Sequence, residues 1–129
     1  MSQILVPGIR LTTNKTVTES DAASIYGPGY QNVFSTPAMI ALMQQTAMRA
    51  VEACLDEGEV TVGTEINVKH LKAARVGESV TCTATLKEVN GRRLLFHVVV
   101  IDEAGKIGEG HHERFIIEHR KFTEQTKKQ

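Results

Sequence analysis

The sequence of 129 residues has no tryptophan, and aromatic residues make up only 5% of it. A chain this poor in aromatic side chains does not offer the stacking platform on which single-stranded nucleic acids bind. Its fifteen basic and fifteen acidic residues cancel, so no overall field draws it to nucleic acid or to an anionic membrane. We therefore expect neither a nucleic acid nor a membrane among its partners.

Other absences narrow the class of protein further. The longest apolar run is far shorter than a bilayer requires, and the first residues lack the charged and apolar regions of a secretion signal. The two cysteines, Cys54 and Cys82, are most simply free thiols in a reducing compartment, although a disulfide between them is an alternative. The length suits one domain with a core of its own. We expect a single cytoplasmic domain over residues 1–129.

The stretch from Ser35 to Leu55 has the spacing of one long helix. Thr36 and Pro37 predict its start, because a hydroxyl can cap the free amides and proline is tolerated in the first turn. Gly58 predicts its end, since glycine readily adopts the left-handed conformation that follows a helix. Apolar side chains cover most of the circumference, so other elements must wrap around this helix.

One polar residue departs from this pattern. Gln44 lies on the apolar side of the helix, beside Met48, Val51 and Leu55. A buried amide needs hydrogen-bond partners or a water, otherwise its desolvation costs about 1–3 kcal/mol. Gln44 is therefore either a hydrogen-bonded core glutamine or a side chain that faces a polar pocket.

After Gly58 the apolar period changes from 3.6 to 2, which indicates a strand. His70 is the last residue of this strand, and its side chain is predicted to point toward the core. The apolar residues of the same parity are predicted to face the core with it: Val60, Val62, Ile66 and Val68.

The remaining segments predict four more strands and two irregular regions. Alternation predicts a strand at 9–17, and Asn90-Gly91 marks a hairpin between strands at 79–89 and 94–101. The second of these is apolar on both faces, so it belongs at the centre of a sheet. Residues 106–118 form the last strand, and 121–129 form a polar C-terminal tail that we expect to fray. Residues 18–34 form a lid-like loop, with one short helix and then a turn at Gly27-Pro28-Gly29.

One helix and a set of strands joined by short turns predict an α+β fold with an antiparallel sheet. The sheet must curl around the single long central helix, which is the hot-dog architecture. In a monomer, one sheet face and one sheet edge would stay apolar and unpaired. We therefore expect a homodimer or a dimer of dimers.

Six short motifs, in this order, resemble those of the fluoroacetyl-CoA thioesterase-like branch of hot-dog thioesterases. They are Val33-Phe34-Ser35-Thr36, Leu42-Met43-Gln44, Val62-Gly63-Thr64-Glu65-Ile66, Val68-Lys69-His70, Val89-Asn90-Gly91-Arg92-Arg93-Leu94 and Gly110-His111-His112-Glu113-Arg114. The resemblance implies an acyl-CoA substrate that binds at the dimer interface, near the start of the central helix, with Phe34 among the residues that contact it.

The resemblance also implies a catalytic set. Thr36 matches the family's threonine at the helix start, and His70 matches the histidine that closes the next strand. Gly63 matches a glycine where substrate approaches closely. The family's glutamate is replaced here by Gln44, which cannot act as a base or a nucleophile.

Thioester hydrolysis needs a base, a donor for the developing oxyanion and a pocket that excludes bulk water. We assign His70 as the base, Thr36 as the donor and Gln44 as a group that positions water and thioester. The sequence thus predicts a thioesterase for a short or small acyl-CoA. A non-catalytic acyl-CoA or metabolite-binding module is the alternative, and an enoyl-thioester hydratase is a third possibility that would need an Asp–His pair.

Each of these residues also has an ordinary structural explanation. Thr36 is a helix cap, His70 a hydrogen-bonded core histidine, and Gln44 a satisfied amide. Lys72 and Arg75 are candidates to bind the phosphates of coenzyme A, although scattered surface charge is the simpler explanation of both.

We expect no metal ion and no bound cofactor. His111 and His112 are adjacent on a strand and point to opposite faces, so they cannot bind one metal together. No zinc-type spacing occurs elsewhere. Gly108 and Gly110 indicate a bulge or a close approach of two backbones and not a phosphate loop, because no helix follows them.

Overall fold

The computed structural model describes residues 4–26 and 31–127 of the chain. Its elements are one long helix, five strands and a short C-terminal helix, together with single 3₁₀ turns at Glu19–Asp21, Ala23–Tyr26 and Glu52–Cys54. The helices and strands are β1 (Arg10–Thr16), α1 (Thr36–Val51), β2 (Glu59–His70), β3 (Ser79–Asn90), β4 (Arg93–Asp102), β5 (Gly105–Glu118) and α2 (His119–Lys127).

The five strands form one sheet in the order β1-β3-β4-β5-β2, and every neighbouring pair is antiparallel. β4 is central, as its apolar residues on both faces predicted. β3 and β4 are joined by the two-residue turn Gly91-Arg92, where Gly91 has a φ of +62° that suits glycine. The two edges of the sheet are β1 and β2.

α1 packs across the concave face of the sheet and contacts all five strands. The core between helix and sheet is fully buried, and its largest side chains are Phe34, Phe96, Met39, Met43, Leu86, Leu94 and Ile107. The predicted hot-dog architecture, an antiparallel sheet around one long helix, is confirmed. Gly108 and Gly110 allow close packing, because a Cβ on the first would meet Met39 and one on the second would meet the backbone of β2.

The start of α1 differs from the prediction by one residue. Ser35 is the N-cap, and its hydroxyl accepts a hydrogen bond from the amide of Ala38 at 3.1 Å. The prediction that Thr36 caps the helix is therefore wrong: Thr36 is the first helical residue, and Pro37 follows it. The hydroxyl of Thr36 is free for another partner.

The end of α1 also comes earlier than predicted. The α-helix stops at Val51 and continues as one 3₁₀ turn to Cys54. Gly58 does have a positive φ of +83°, but it serves the turn into β2 and does not cap the helix.

A β-bulge in β2 overturns the predicted parity of its first half. Gly63 pairs with Arg114 and Glu65 pairs with Glu113, so Thr64 is an extra residue without a partner. Before the bulge the buried residue is Thr61, which is 6% exposed, while Val60 on the other face is 38% exposed. The assignment of Val60 and Val62 to the core side is wrong. After the bulge, Ile66, Val68 and His70 share the inner face, as predicted.

The lid-like loop and the C-terminal tail are both partly helical. Residues 18–26 form two 3₁₀ turns, and the predicted Gly-Pro-Gly turn falls within 27–30, outside the described residues. α2 occupies His119–Lys127, where we expected a frayed tail. Cys54 and Cys82 are free thiols. Within the described part of the chain, no helix is long and apolar enough to cross a membrane.

Candidate active site

The first turn of α1 and the end of β2 meet at Thr36 and His70. The Oγ1 atom of Thr36 lies 2.8 Å from Nδ1 of His70, and either atom can donate the hydrogen bond. The ring of Phe34 meets the imidazole edge to face, with 6.4 Å between ring centroids. His70 is thus held on two sides, by a hydroxyl from the helix and by a buried aromatic ring from the segment before it.

A cavity of about 680 Å³ adjoins this pair. Its walls come from the 3₁₀ segment before α1, the first turn of α1 and the segment after β2: Ala23, Tyr26, Val33, Phe34, Ser35, Thr36, Pro37, His70, Leu71, Lys72 and Ala73. A cavity of this size suits a small organic ligand. The predicted lid-like segment supplies one wall of it.

The second ring nitrogen of His70 has no hydrogen-bond partner in the part of the chain that the structure describes. Its Nε2 atom is inaccessible to solvent and forms no hydrogen bond with any described residue. An unpaired buried nitrogen of this kind costs about 1–3 kcal/mol unless a water or ligand satisfies it. Burial lowers the pKa of His70 below its ordinary value of 6.5, so the ring is neutral at pH 7.

Gln44 does not join Thr36 and His70 within one chain. It lies eight residues after Thr36, which is about 12 Å along the helix axis. Gln44 instead lines a separate cavity of about 220 Å³ with Gly63, Thr64, Glu65, Ile66 and His112. The three predicted catalytic residues thus fall into two groups, Gln44 against the middle of β2 and Thr36 with His70 at its C-terminal end.

Gly63 brings the β2 backbone close to three side chains. A Cβ added at this position would lie 2.7 Å from Oε1 of Gln44, 3.0 Å from Cε1 of His112 and 3.3 Å from Nη1 of Arg114. Only a residue without a side chain leaves this space open. Gly63 therefore sits beside Gln44 and away from His70.

Two polar residues of this second group were not predicted from the sequence. Arg114 is 5% exposed and His112 is 1% exposed, and both point inward from β5. Arg114 donates from Nε to Oγ1 of Thr61 and from Nη2 to its carbonyl oxygen, each at 2.8 Å, and from Nη1 to Nε2 of His112 at 3.1 Å. The signal was their shared parity with Ile116, an apolar residue on the same strand, which puts both side chains on the core face.

The candidate phosphate-binding residues lie next to the Thr36–His70 cavity, and Lys72 is part of its wall. Lys72 and Arg75 line a neighbouring cavity of about 810 Å³. The Lys72 Nζ atom is bound to both carboxylate oxygens of Asp102, at 2.6 and 2.7 Å. Arg75 is exposed and forms no ion pair with any described residue. Lys72 is thus paired with Asp102, whereas Arg75 has no ion pair with a described residue and can contact a phosphate.

Among residues 4–26 and 31–127, no group of three or more His, Cys, Asp or Glu side chains is placed to bind a metal ion. His111 and His112 do point to opposite faces, since His112 is buried and His111 is exposed.

Comparison with known proteins identifies the family. Residues 17–120 match the family described as FlK, fluoroacetyl-CoA-specific thioesterase. A fluoroacetyl-CoA thioesterase from Streptantibioticus cattleyicolor is 42% identical over 93 residues, which are 72% of this chain and 67% of that protein.

Solved structures agree in fold. The fluoroacetyl-CoA thioesterase FlK superposes with a TM-score of 0.92 at 33% identity, covering 98% of both chains. A hot-dog-like protein from Thermanaerovibrio acidaminovorans gives a TM-score of 0.89 at 27% identity, covering 95% of this chain and 90% of that one. A mutant of FlK has also been solved in complex with acetyl-CoA. The chain belongs to the family of fluoroacetyl-CoA-specific thioesterases and has their hot-dog fold.

Proposed function

We propose that this protein is an acyl-CoA thioesterase that hydrolyses a short or small acyl-CoA thioester. The observation that carries the proposal is the Thr36–His70 pair beside a cavity, with Nε2 of His70 buried and unpartnered. The names of the relatives support the substrate class, since the matching proteins act on fluoroacetyl-CoA.

In the proposed reaction His70 is the general base. Its Nδ1–H donates to Oγ1 of Thr36, which leaves the lone pair of Nε2 free to take a proton from water. The water oxygen bonds to the thioester carbon, and the carbon–sulfur bond breaks. The departing thiolate takes the proton back from His70, so the products are the free acid and coenzyme A.

Thr36 has a second role in this arrangement. Because its oxygen accepts from His70, its own O–H is free to donate to the thioester carbonyl as negative charge develops there. Thr36 thus holds the tautomer of the base and stabilises the oxyanion.

The proposed enzyme is a homodimer in which Gln44 and Gly63 serve the partner's site. β2 is an edge strand of twelve residues, and a two-fold axis across such an edge pairs it antiparallel with its copy. If the axis passes between residues 66 and 67, Gly63 lies opposite His70 of the partner subunit. The acyl group then sits between the two, with the amide of Gln44 positioning the attacking water. A dimer of dimers is compatible with this pairing.

Coenzyme A is proposed to extend from the Thr36–His70 cavity toward the cavity that Lys72 and Arg75 line. Arg75 is the main candidate to contact its phosphates, since Asp102 already neutralises Lys72. A cytoplasmic location belongs to the proposal, because Cys54 and Cys82 are free thiols.

A binding module without catalysis is the second candidate. It is favoured by Gln44, whose amide is neither base nor nucleophile. A hydratase is less favoured, because the partner of His70 is a threonine and not an aspartate.

Release of free thiol from a panel of acyl-CoA thioesters separates these functions. His70→Ala should reduce hydrolysis by about 100- to 10,000-fold, with an unchanged circular dichroism spectrum. Gln44→Glu should raise the turnover of acetyl-CoA by restoring a carboxylate. Binding of acyl-CoA without thiol release in wild type would support the binding module, and undiminished hydrolysis by His70→Ala would refute the assignment of the base.

A further inference from the structure

Arg114 is a buried cation without a negatively charged partner among the described residues. All three of its hydrogen bonds go to neutral acceptors, two on Thr61 and one on His112. No carboxylate of residues 4–26 or 31–127 forms an ion pair with it. Burying an unpaired charge is costly, and burial alone lowers the pKa of this guanidinium.

His112 cannot supply the missing negative charge. The carbonyl oxygen of Glu65 can only accept, so the 2.8 Å contact fixes the proton on Nδ1 of His112. Nε2 then accepts from Arg114, and the ring is neutral. Burial lowers the pKa of His112, and the charge of Arg114 lowers it further.

The acidic side chains of neighbouring positions on β5 and β2 do not pair with Arg114 either. Glu113 follows the opposite parity on β5 and binds Thr64 and Arg93. Glu65 is exposed, and its carboxylate forms no ion pair with any described residue. Gln44, the helix residue that faces the same space, is neutral.

The guanidinium still has donors to offer. Arginine carries five N–H groups, and three of these are used, which leaves one on each terminal nitrogen. This is the set that binds a carboxylate in bidentate fashion. Nη1 lies 3.3 Å from the Cβ position that Gly63 leaves empty, so a ligand group above Gly63 would reach it.

We propose that Arg114 binds a carboxylate on the acyl group, so that the preferred substrate is the coenzyme A thioester of a small dicarboxylic acid. The inference rests on the proposed function, in which the space above Gly63 faces the partner subunit's His70. The thioester carbonyl then lies at Thr36 and His70 of one subunit, and the distal carboxylate lies at Arg114 of the other. Hydrolysis yields the dicarboxylate and coenzyme A.

The first test compares kcat/KM for malonyl-CoA and succinyl-CoA with that for acetyl-CoA and butyryl-CoA. The wild type should prefer the better anionic thioester by at least about 100-fold, because one charge-assisted hydrogen bond has roughly this effect. Arg114→Lys keeps the charge but loses the planar pair of N–H donors, and should reduce this preference about tenfold. Arg114→Gln should abolish it.

Gln44→Glu gives the sharper test, because it leaves Arg114 in place. The new carboxylate faces the guanidinium as an internal counter-ion, so it should abolish the preference for anionic thioesters and weaken succinate binding in calorimetry at least tenfold. Gln45→Glu is the matched control: it adds the same charge one residue later on the exposed side of α1 and should change neither.

The outcomes separate this inference from the proposed function. Equal or faster hydrolysis of acetyl-CoA and butyryl-CoA by the wild type would overturn the role of Arg114 and leave the thioesterase intact. If no thioester is hydrolysed, succinate or malonate binding that Gln44→Glu abolishes would support the carboxylate site, and the absence of such binding would overturn it. Equal loss of binding in Gln45→Glu would also count against it.

Discussion

The Oγ1 atom of Thr36 and the Nδ1 atom of His70 lie 2.8 Å apart, although 34 residues separate them in the chain. The contact depends on which residue caps α1. The hydroxyl of Ser35 accepts from the free amide of Ala38, so the hydroxyl of Thr36 is not needed as a cap. Ser35 thus stabilises the start of the helix, while the adjacent Thr36 contacts the imidazole of His70.

Thr36→Ala should therefore affect activity much more than stability. Loss of one donor at the oxyanion costs about 100-fold in kcat, whereas the free energy of unfolding should change by less than about 0.5 kcal/mol. Thr36→Ser should restore most of the activity, because it returns the hydroxyl. Steady-state kinetics and urea unfolding measure the two quantities.

Ser35→Ala provides the contrast to that variant. It removes the cap, so it should reduce the free energy of unfolding by about 1 kcal/mol. If Thr36→Ala proves the more destabilising of the two, Thr36 serves the fold and its catalytic assignment loses its basis.

The pH dependence of hydrolysis should report the burial of His70. Its pKa lies below the ordinary 6.5, and a general base acts only when unprotonated. The value of kcat/KM should therefore reach half of its maximum below pH 6.5, level off as the pH rises further, and fall at lower pH as the ring takes up a proton. A pH profile of kcat/KM on a stable acyl-CoA measures the inflection. An inflection above pH 6.5 would show that another group limits the rate.

Much of this arrangement could be predicted from local sequence signals. The helix that begins at Thr36, the hairpin at Asn90-Gly91 and the central position of β4 all follow from periodicity and turn chemistry. The prediction that His70 faces inward is correct, because Ile66, Val68 and His70 all follow the bulge and keep one uninterrupted alternation.

The errors arose where one residue changes the register. Thr64 has no partner on β5, and this single insertion reverses the faces of Val60 and Val62. Periodicity alone cannot reveal such a bulge, because it depends on the partner strand. Arg114 shares the inward parity of Ile116, but that local pattern does not show that Thr61 and Gly63 of β2 make room for a guanidinium there. This depends on contacts between positions far apart in the chain.

Two glycine positions should respond differently to alanine. In Gly63→Ala the new Cβ comes closest to the end of the flexible Gln44 side chain, which can move. Its distances to His112 and Arg114, 3.0 and 3.3 Å, call only for shifts of a few tenths of an ångström, so the protein should fold. Hydrolysis should fall at least about tenfold, since the methyl group fills the space proposed for the acyl group.

Gly110→Ala should instead destabilise the fold. Its Cβ would meet backbone atoms of Asn67 and Val68, which cannot move without disturbing the sheet. We expect a loss of about 3 kcal/mol in the free energy of unfolding, measured by chemical denaturation. A Gly63→Ala variant that unfolds as readily as Gly110→Ala would show that Gly63 is required for packing and not for substrate.

Mixing two inactive variants tests whether each site is built from both subunits. One chain carries His70→Ala, and the other carries Gly63→Val, whose larger side chain should block the acyl space. In a mixed dimer, one site combines the intact His70 of one subunit with the intact Gly63 of the other, while the second site carries both changes. An equal mixture that exchanges subunits freely should recover about 25% of wild-type activity, because half of the dimers are mixed and each has one working site.

A site contained within a single chain behaves differently in this experiment. Every site in the mixed dimer would then carry one of the two changes, so no activity would return. Coexpression with two affinity tags isolates the mixed dimer, in which recovery should rise to about 50% of the wild-type rate per dimer. Since Gly63 and His70 lie roughly 20 Å apart along β2 of one chain, recovery would place the reacting thioester across the two-fold axis.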